Sequence, residues 1–296
     1  MTTLLPAVLP VALIILIGFV VGRTLSLQRS TLSQIVLYVL APALVIDGLY
    51  RTQLSLTTSS KLLVGFALTS GTIYSLVWLF SLIFQLDPAL RRATTAIVMF
   101  PNNGNMGLPV ATFALGAAGL ERAIIYMLGS SFLMFCLGPA IIKGSGIVSG
   151  LKLTLRLPLL YAIALGIGLR LFQLQFPWQL DQAVAQLGAA AIPIALILLG
   201  MQLSETSFRP KLQEVLVAIA RLAIAPAIAY GFGRLLQLET LDLQVLVLQS
   251  AMPTAVNSFV LVSEFGGDKG LVARAIVTST LISFISLPII LSLIIS

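Results

Sequence analysis

Histidine is absent from the 296 residues, and cysteine occurs once, as Cys136. The first absence removes imidazole catalysis, histidine metal ligands and histidine pH switching. The second leaves no disulfide framework and no cysteine metal site. Charge is scarce too: Asp, Glu, Lys and Arg make up 9% of the chain, against about 25% in a soluble globular domain. The formal net charge is +7, yet no basic run reaches the density of a nucleic-acid surface. Without an Asp-rich motif or a nucleophile–base pair, neither an enzyme site nor a cofactor or metal site is expected. The period-2 alternation of a membrane barrel is missing as well.

Apolar sequence fills the space that charge leaves. Hydrophobic residues make up 58% of the chain and the mean hydropathy is +1.07. The apolar runs are about 20 residues long, the length of helix that crosses roughly 30 Å of hydrocarbon. The expectation is therefore an all-α integral membrane protein of ten transmembrane helices. They fall near 5–22, 32–50, 61–84, 93–116, 120–142, 157–173, 183–203, 212–235, 242–264 and 271–295. The run at 4–21 follows no Lys or Arg and precedes no small-residue cleavage site, so it reads as a first helix rather than a leader. Loops on one side carry Arg23, Arg29, Arg91, Arg92, Lys143, Lys152, Arg156, Arg209, Lys211, Lys269 and Arg274; those on the other carry Arg51, Lys61, Arg122, Arg170 and Arg234. The basic excess marks the cytoplasmic side. This predicts a multi-pass protein of the inner (plasma) membrane with both termini outside, and Trp178 beside Pro177 in an outer interfacial loop.

The two halves resemble each other. Sliding the chain by 152 positions lays Pro101 on Pro253, Asn105 on Asn257, Phe113 on Phe265 and Arg122-Ala123-Ile124 on Arg274-Ala275-Ile276. Each half holds five spans, an odd number, so the second must lie upside down. The reading is an inverted five-plus-five repeat: 1–142, a cytoplasmic connecting loop at 143–156, and 157–296. Pro42 and Pro193 match within one residue of the register and read as structural kinks. Gly18, Gly22, Gly166 and Gly168 read as close helix contacts.

Spans 4 and 9 are interrupted. In the first break Pro101, Gly104, Gly107 and Pro109 weaken the helix, and Asn102, Asn103 and Asn105 place amides at membrane depth. In the second, Pro253 is joined by Thr254, Asn257 and Ser258. Two broken helices in repeat register are expected to cross near the midplane, and this pattern points to a secondary transporter's site. Half-helix N-termini favour an anion, with the six polar side chains as the binding set. A proline kink that merely needs local polar partners is the plainer reading. Asp47, Glu264 and Arg221 are the candidate charge partners. For Asp47 and Glu264 the alternative is an interfacial charge at a span end. Arg221, well inside span 8, either snorkels to the cytoplasmic side or faces the interior and attracts an anion.

At Pro101-Asn102…Met106-Gly107-Leu108-Pro109 and Met252-Pro253…Glu264-Phe265, the chain resembles the auxin efflux carrier family, which includes the plant PIN carriers and bacterial permeases. The resemblance covers the whole chain. It implies a scaffold of spans 1, 2, 6 and 7, an elevator-like transport bundle, a homodimer and export of small organic anions, auxin-like or dicarboxylate. It also carries substrate binding to Asn102 beside Pro101 and to the Pro253 break. The chain departs from plant members at Ser258, where they have proline, at Ser263, where they have lysine, and in its short connecting loop. A sodium-coupled carrier of the bile-acid type and a non-transporting membrane sensor remain alternatives.

Overall fold

The computed structural model describes residues 5–143, 158–205 and 210–295, which are helical with no strand among them. The connecting loop expected at 143–156 lies outside the described residues, apart from Lys143, which follows directly on the span Asn103–Ile142. In chain order the helices are α1 (Leu5–Thr24), α2 (Arg29–Arg51), α3 (Leu56–Ile83), α4 (Pro88–Met99) and α5 (Asn103–Ile142). They continue with α6 (Pro158–Leu171), α7 (Leu180–Ser204), α8 (Leu212–Leu235), α9 (Thr240–Ser250), α10 (Asn257–Phe265) and α11 (Lys269–Ile295). Six helical stretches are long and apolar enough to cross a membrane, and shorter apolar helices accompany them.

The 40-residue run of α5 would extend ~60 Å if straight, twice the hydrocarbon thickness. It is not straight. Gly116 has φ +68°, a left-handed conformation that glycine adopts without a Cβ penalty. A Cβ placed on Gly119 would sit 2.3 Å from Leu115 and 3.3 Å from the Ala111 carbonyl. Eight residues of straight helix cover about 12 Å, so the chain folds back on itself at Gly116.

Proline shapes the helices in a second way. Wide π turns occupy Val36–Leu40, Asn103–Gly107, Leu133–Leu137 and Ala220–Ile224. Each ends two residues before a proline: Pro42, Pro109, Pro139 and Pro226. A proline ring collides with the carbonyl four residues back and supplies no N–H. Widening the preceding turn relieves that collision. Pro193 lies inside α7 without such a turn.

Glycine allows backbones to touch in the layer formed by α1, α2, α6 and α7. A Cβ on Gly18 would lie 2.2 Å from the Ile197 carbonyl, and one on Gly200 2.0 Å from that of Ile15. Gly22 abuts Met201, Gly166 abuts Leu49 and Ile46, and Gly188 abuts Leu44. Gly168 departs from its expected role, since no described residue lies within 4 Å of its Cβ position. A matched pair of substitutions follows from this contrast. Gly200→Ala should destabilise by about 1–3 kcal/mol, because backbone atoms cannot yield to the new methyl. Gly168→Ala should be neutral or stabilising by up to about 1 kcal/mol through helix propensity. Thermal unfolding of the two purified variants measures the difference directly.

Candidate functional site

Proline sets the crossing. The residue before a proline is pushed out of the α region, so Phe100 and Met252 are the natural ends of α4 and α9. Phe100 is extended, with φ −107° and ψ 98°. The chain past each helix end then pairs with the other as an isolated antiparallel bridge between Pro101 and Thr254. The Asn102 N–H donates to the Pro253 carbonyl at 2.7 Å, and the Ala255 N–H donates to the Phe100 carbonyl at 2.8 Å. Two segments some 150 residues apart in sequence thus satisfy each other's backbone where helix has been lost, as depth in a membrane requires.

The crossing has two unlike faces. On one are the C-terminal ends of α4 and α9, whose last carbonyls have no intrahelical donor. Arg221 reaches them from the π turn of α8. It is 1% exposed, and donates from Nη1 to Val98 O at 2.8 Å, from Nη2 to Ser250 O at 2.8 Å and from Nε to Met252 O at 3.1 Å. Thr254 Oγ1 donates to Ile97 O and Ser258 Oγ to Ala96 O, both at 3.1 Å. Three successive carbonyls at the end of α4 therefore find side-chain donors. A guanidinium also complements the negative ends of two helix dipoles.

The other face holds the N-terminal ends of α5 and α10 and a cavity of about 150 Å³. Asn102, Asn103, Asn105 and Asn257 line it, with Gly104 beside them. Asn102 and Asn103 are 5% and 3% exposed. Among the described residues, Asn102 Nδ2 and both side-chain polar atoms of Asn103 lack hydrogen-bond partners. A buried amide left unpaired costs about 1–3 kcal/mol, so these groups call for a ligand or water. Among the described residues, no Lys, Arg, Asp or Glu belongs to the lining. The chemistry offered is a neutral set of N–H donors and amide oxygens at two positively polarised helix ends.

The sequence-predicted residues thus separate. The four asparagines meet at the cavity, whereas Thr254 and Ser258 are fully buried and turned to the carbonyls of α4. Gly107 gives room to Gln249: a Cβ there would lie 2.2 Å from Gln249 Oε1, and Gln249 Nε2 donates to the Gly107 carbonyl at 2.9 Å. Pro109 follows the π turn at Asn103–Gly107. Arg221 neither snorkels nor lines the cavity. Asp47 pairs with Arg51 at 2.7 Å near the end of α2, and Arg51 also reaches Asp181 at 3.2 Å. Glu264 is exposed near the end of α10, away from the cavity.

Sequence reading did not single out Ser33, Ser130 and Ser131, which line the cavity, or Gln249. The available signal was a polar side chain inside an apolar run. It also did not give Arg122 and Arg274, 152 positions apart, their partners. Arg122 meets the buried Asp242, and Arg274 meets the fully buried Glu214 at 2.6 Å.

A family model described as "Membrane transport protein" matches residues 3–149 and again 145–291. An uncharacterized transporter of Methanothermobacter thermautotrophicus is 31% identical over 294 residues, 95% of each chain. One from Methanocaldococcus jannaschii is 30% identical over 210 residues, 69% of this chain and 68% of the relative. A Rhizobium meliloti protein named "Putative malonate transporter" is 27% identical over 301 residues, 93% of this chain and 91% of the relative.

Proposed function

The chain belongs to the membrane transport protein family, that of the auxin efflux carriers, and from this premise we propose that it is a secondary carrier for a small organic anion. It is a multi-pass membrane transporter and not an enzyme. The observation that carries the choice of an anion is the unlike pair of faces at the crossing. Unpaired, buried amides and two helix N-termini face the cavity, while the helix C-termini are tied to Arg221 on the other face.

The architecture we propose is ten spans in an inverted five-plus-five repeat. α4 with the part of α5 before Gly116 forms one interrupted span, and α9 with α10 forms the other. Two observations support it. The same family model fits each half, and a shift of 152 lays Pro88–Met99 over Thr240–Ser250 and the end of α5 over α11. The glycine-packed helices α1, α2, α6 and α7 are the fixed scaffold and dimer interface. The other helices carry the site across in an elevator-like movement. Both termini lie outside the inner membrane and the physiological direction is efflux.

The substrate's charge follows from the lining. Each half-helix end supplies about +0.5 charge, and the described residues of the lining add no cation, so the seat balances about one negative charge. A dicarboxylate, the kind of compound in the R. meliloti relative's name, fits best when singly ionised. In proteoliposomes containing the purified protein, small monocarboxylates should inhibit uptake of a labelled substrate several-fold better than fully ionised dicarboxylates of similar size. Dicarboxylate uptake should rise as pH falls toward its second ionisation. Uptake of neutral or cationic solutes in preference to carboxylates would overturn the reading. The unpaired Asn103 Oδ1 is the observation that favours sodium coupling, and omitting sodium from the same assay decides it.

A further inference from the structure

A second polar cavity, of about 230 Å³, lies between α3, α4 and the last turn of α5, where the anion seat does not reach. Arg91, Arg92 and Thr95 of α4 line it, with Tyr74 and Trp78 of α3. Arg92 is half-buried, and its Nε is buried with no hydrogen-bond partner among the described residues. The ion pairs of the described residues, at Arg29, Arg51, Arg122 and Arg274, include neither Arg91 nor Arg92. Among the described residues, no carboxylate lines the cavity. The Thr95 hydroxyl is already committed to the Arg91 carbonyl at 2.8 Å.

What remains free among the described residues is a set of donors: two guanidinium groups, an indole N–H and a phenol. Guanidinium forks match the oxygens of a phosphate in geometry and charge. Tryptophan and tyrosine beside arginine at one end of an apolar helix is the arrangement that meets lipid headgroups. Ile141 and Ile142 add an apolar wall. The position of Arg92 is also constrained, since a Cβ on Gly266 would lie 2.8 Å from its Nη1. The side chain is held against the turn that ends α10 rather than extended into solvent.

We propose that this cavity binds a phosphate group, carried either on an anionic phospholipid headgroup or as free phosphate. The test uses the full chain in nanodiscs of phosphatidylglycerol mixed with phosphatidylcholine, with retained lipid counted by native mass spectrometry. A second arm follows Trp78 fluorescence, in a Trp178→Phe background, during titration with inorganic phosphate in phosphatidylcholine alone. The wild type is expected to retain phosphatidylglycerol at least threefold over its share of the disc. Arg91→Gln/Arg92→Gln should abolish the excess, and Arg91→Lys/Arg92→Lys, which keeps the charge, should keep most of it. Arg29→Gln/Arg234→Gln, which removes as much charge elsewhere, should leave it unchanged. A phosphate-dependent fluorescence change lost in the Gln pair, without lipid enrichment, assigns the site to free phosphate. Equal lipid retention by wild type and the Arg91→Gln/Arg92→Gln protein, with no phosphate response, overturns the proposal. So does an equal loss in the Arg29→Gln/Arg234→Gln control, because attraction would then follow total charge.

Discussion

Asn102→Asp is expected to lower carboxylate transport more than tenfold while leaving the fold intact. The substitution is nearly isosteric. The bridge at the crossing uses the backbone N–H of Asn102 rather than its side chain, so the pairing with Pro253 survives. The cavity changes sign. An amide can donate to a carboxylate, whereas an ionised Asp only accepts. Two unit charges about 4 Å apart repel by about 4 kcal/mol at an effective dielectric of 20, well above the 1.4 kcal/mol that corresponds to a tenfold change. A protonated aspartic acid donates much as asparagine does, so the defect is expected to deepen as pH rises. Asn102→Ala removes a donor without adding a charge and should be milder. Transport of one anion by the three proteins, matched for reconstitution and thermal stability, provides the comparison. Equal transport by wild type and Asn102→Asp at high pH would remove the anion from this break.

Arg221→Met should act on the scaffold of the site rather than on the substrate's charge. It strips donors from Val98, Ser250 and Met252 at once. Each buried carbonyl left unpaired costs about 1–3 kcal/mol, partly offset because the methionine removes a charge that was expensive to bury. A net loss of about 3 kcal/mol is expected, read as a fall in thermal midpoint, together with loss of transport. Arg221→Lys keeps the charge but loses the planar fork, so it can meet fewer of the three carbonyls. It should lie between wild type and Arg221→Met in both measurements. Were Arg221 instead an attractor of the anion, the lysine variant would be stable and nearly normal in transport, and the methionine variant stable but inactive.

These two residues also mark how far the sequence could be read. The breaks were legible because proline and asparagine inside apolar runs conflict with continuous helix, and the four asparagines were legible as polar groups at depth. Which way a polar residue faces was not legible at a break. Helical periodicity fails there, so Thr254 and Ser258 looked equivalent to Asn257 although they turn to α4. Arg221 was conspicuous by its depth, but its partners are set by contacts far along the chain: Val98 is 123 residues away. The π turns were hidden for a different reason. A proline signals a disturbed helix without specifying whether the helix kinks, widens or carries on: Pro42 and Pro226 follow a widened turn, whereas Pro193 lies in a helix that carries on. Glycine was similarly ambiguous, with Gly18 at a backbone contact and Gly168 in open space.

The most direct test of the proposed anion seat is a structure of the purified protein with a carboxylate identified as its substrate. The carboxylate is expected in the cavity of about 150 Å³, within about 3 Å of the Asn102 or Asn103 amide, the ordinary hydrogen-bond distance, and facing the first turns of α5 and α10. Density for the anion against Arg221, or in a cleft away from the crossing, with Asn102 and Asn103 still unpaired, would contradict it.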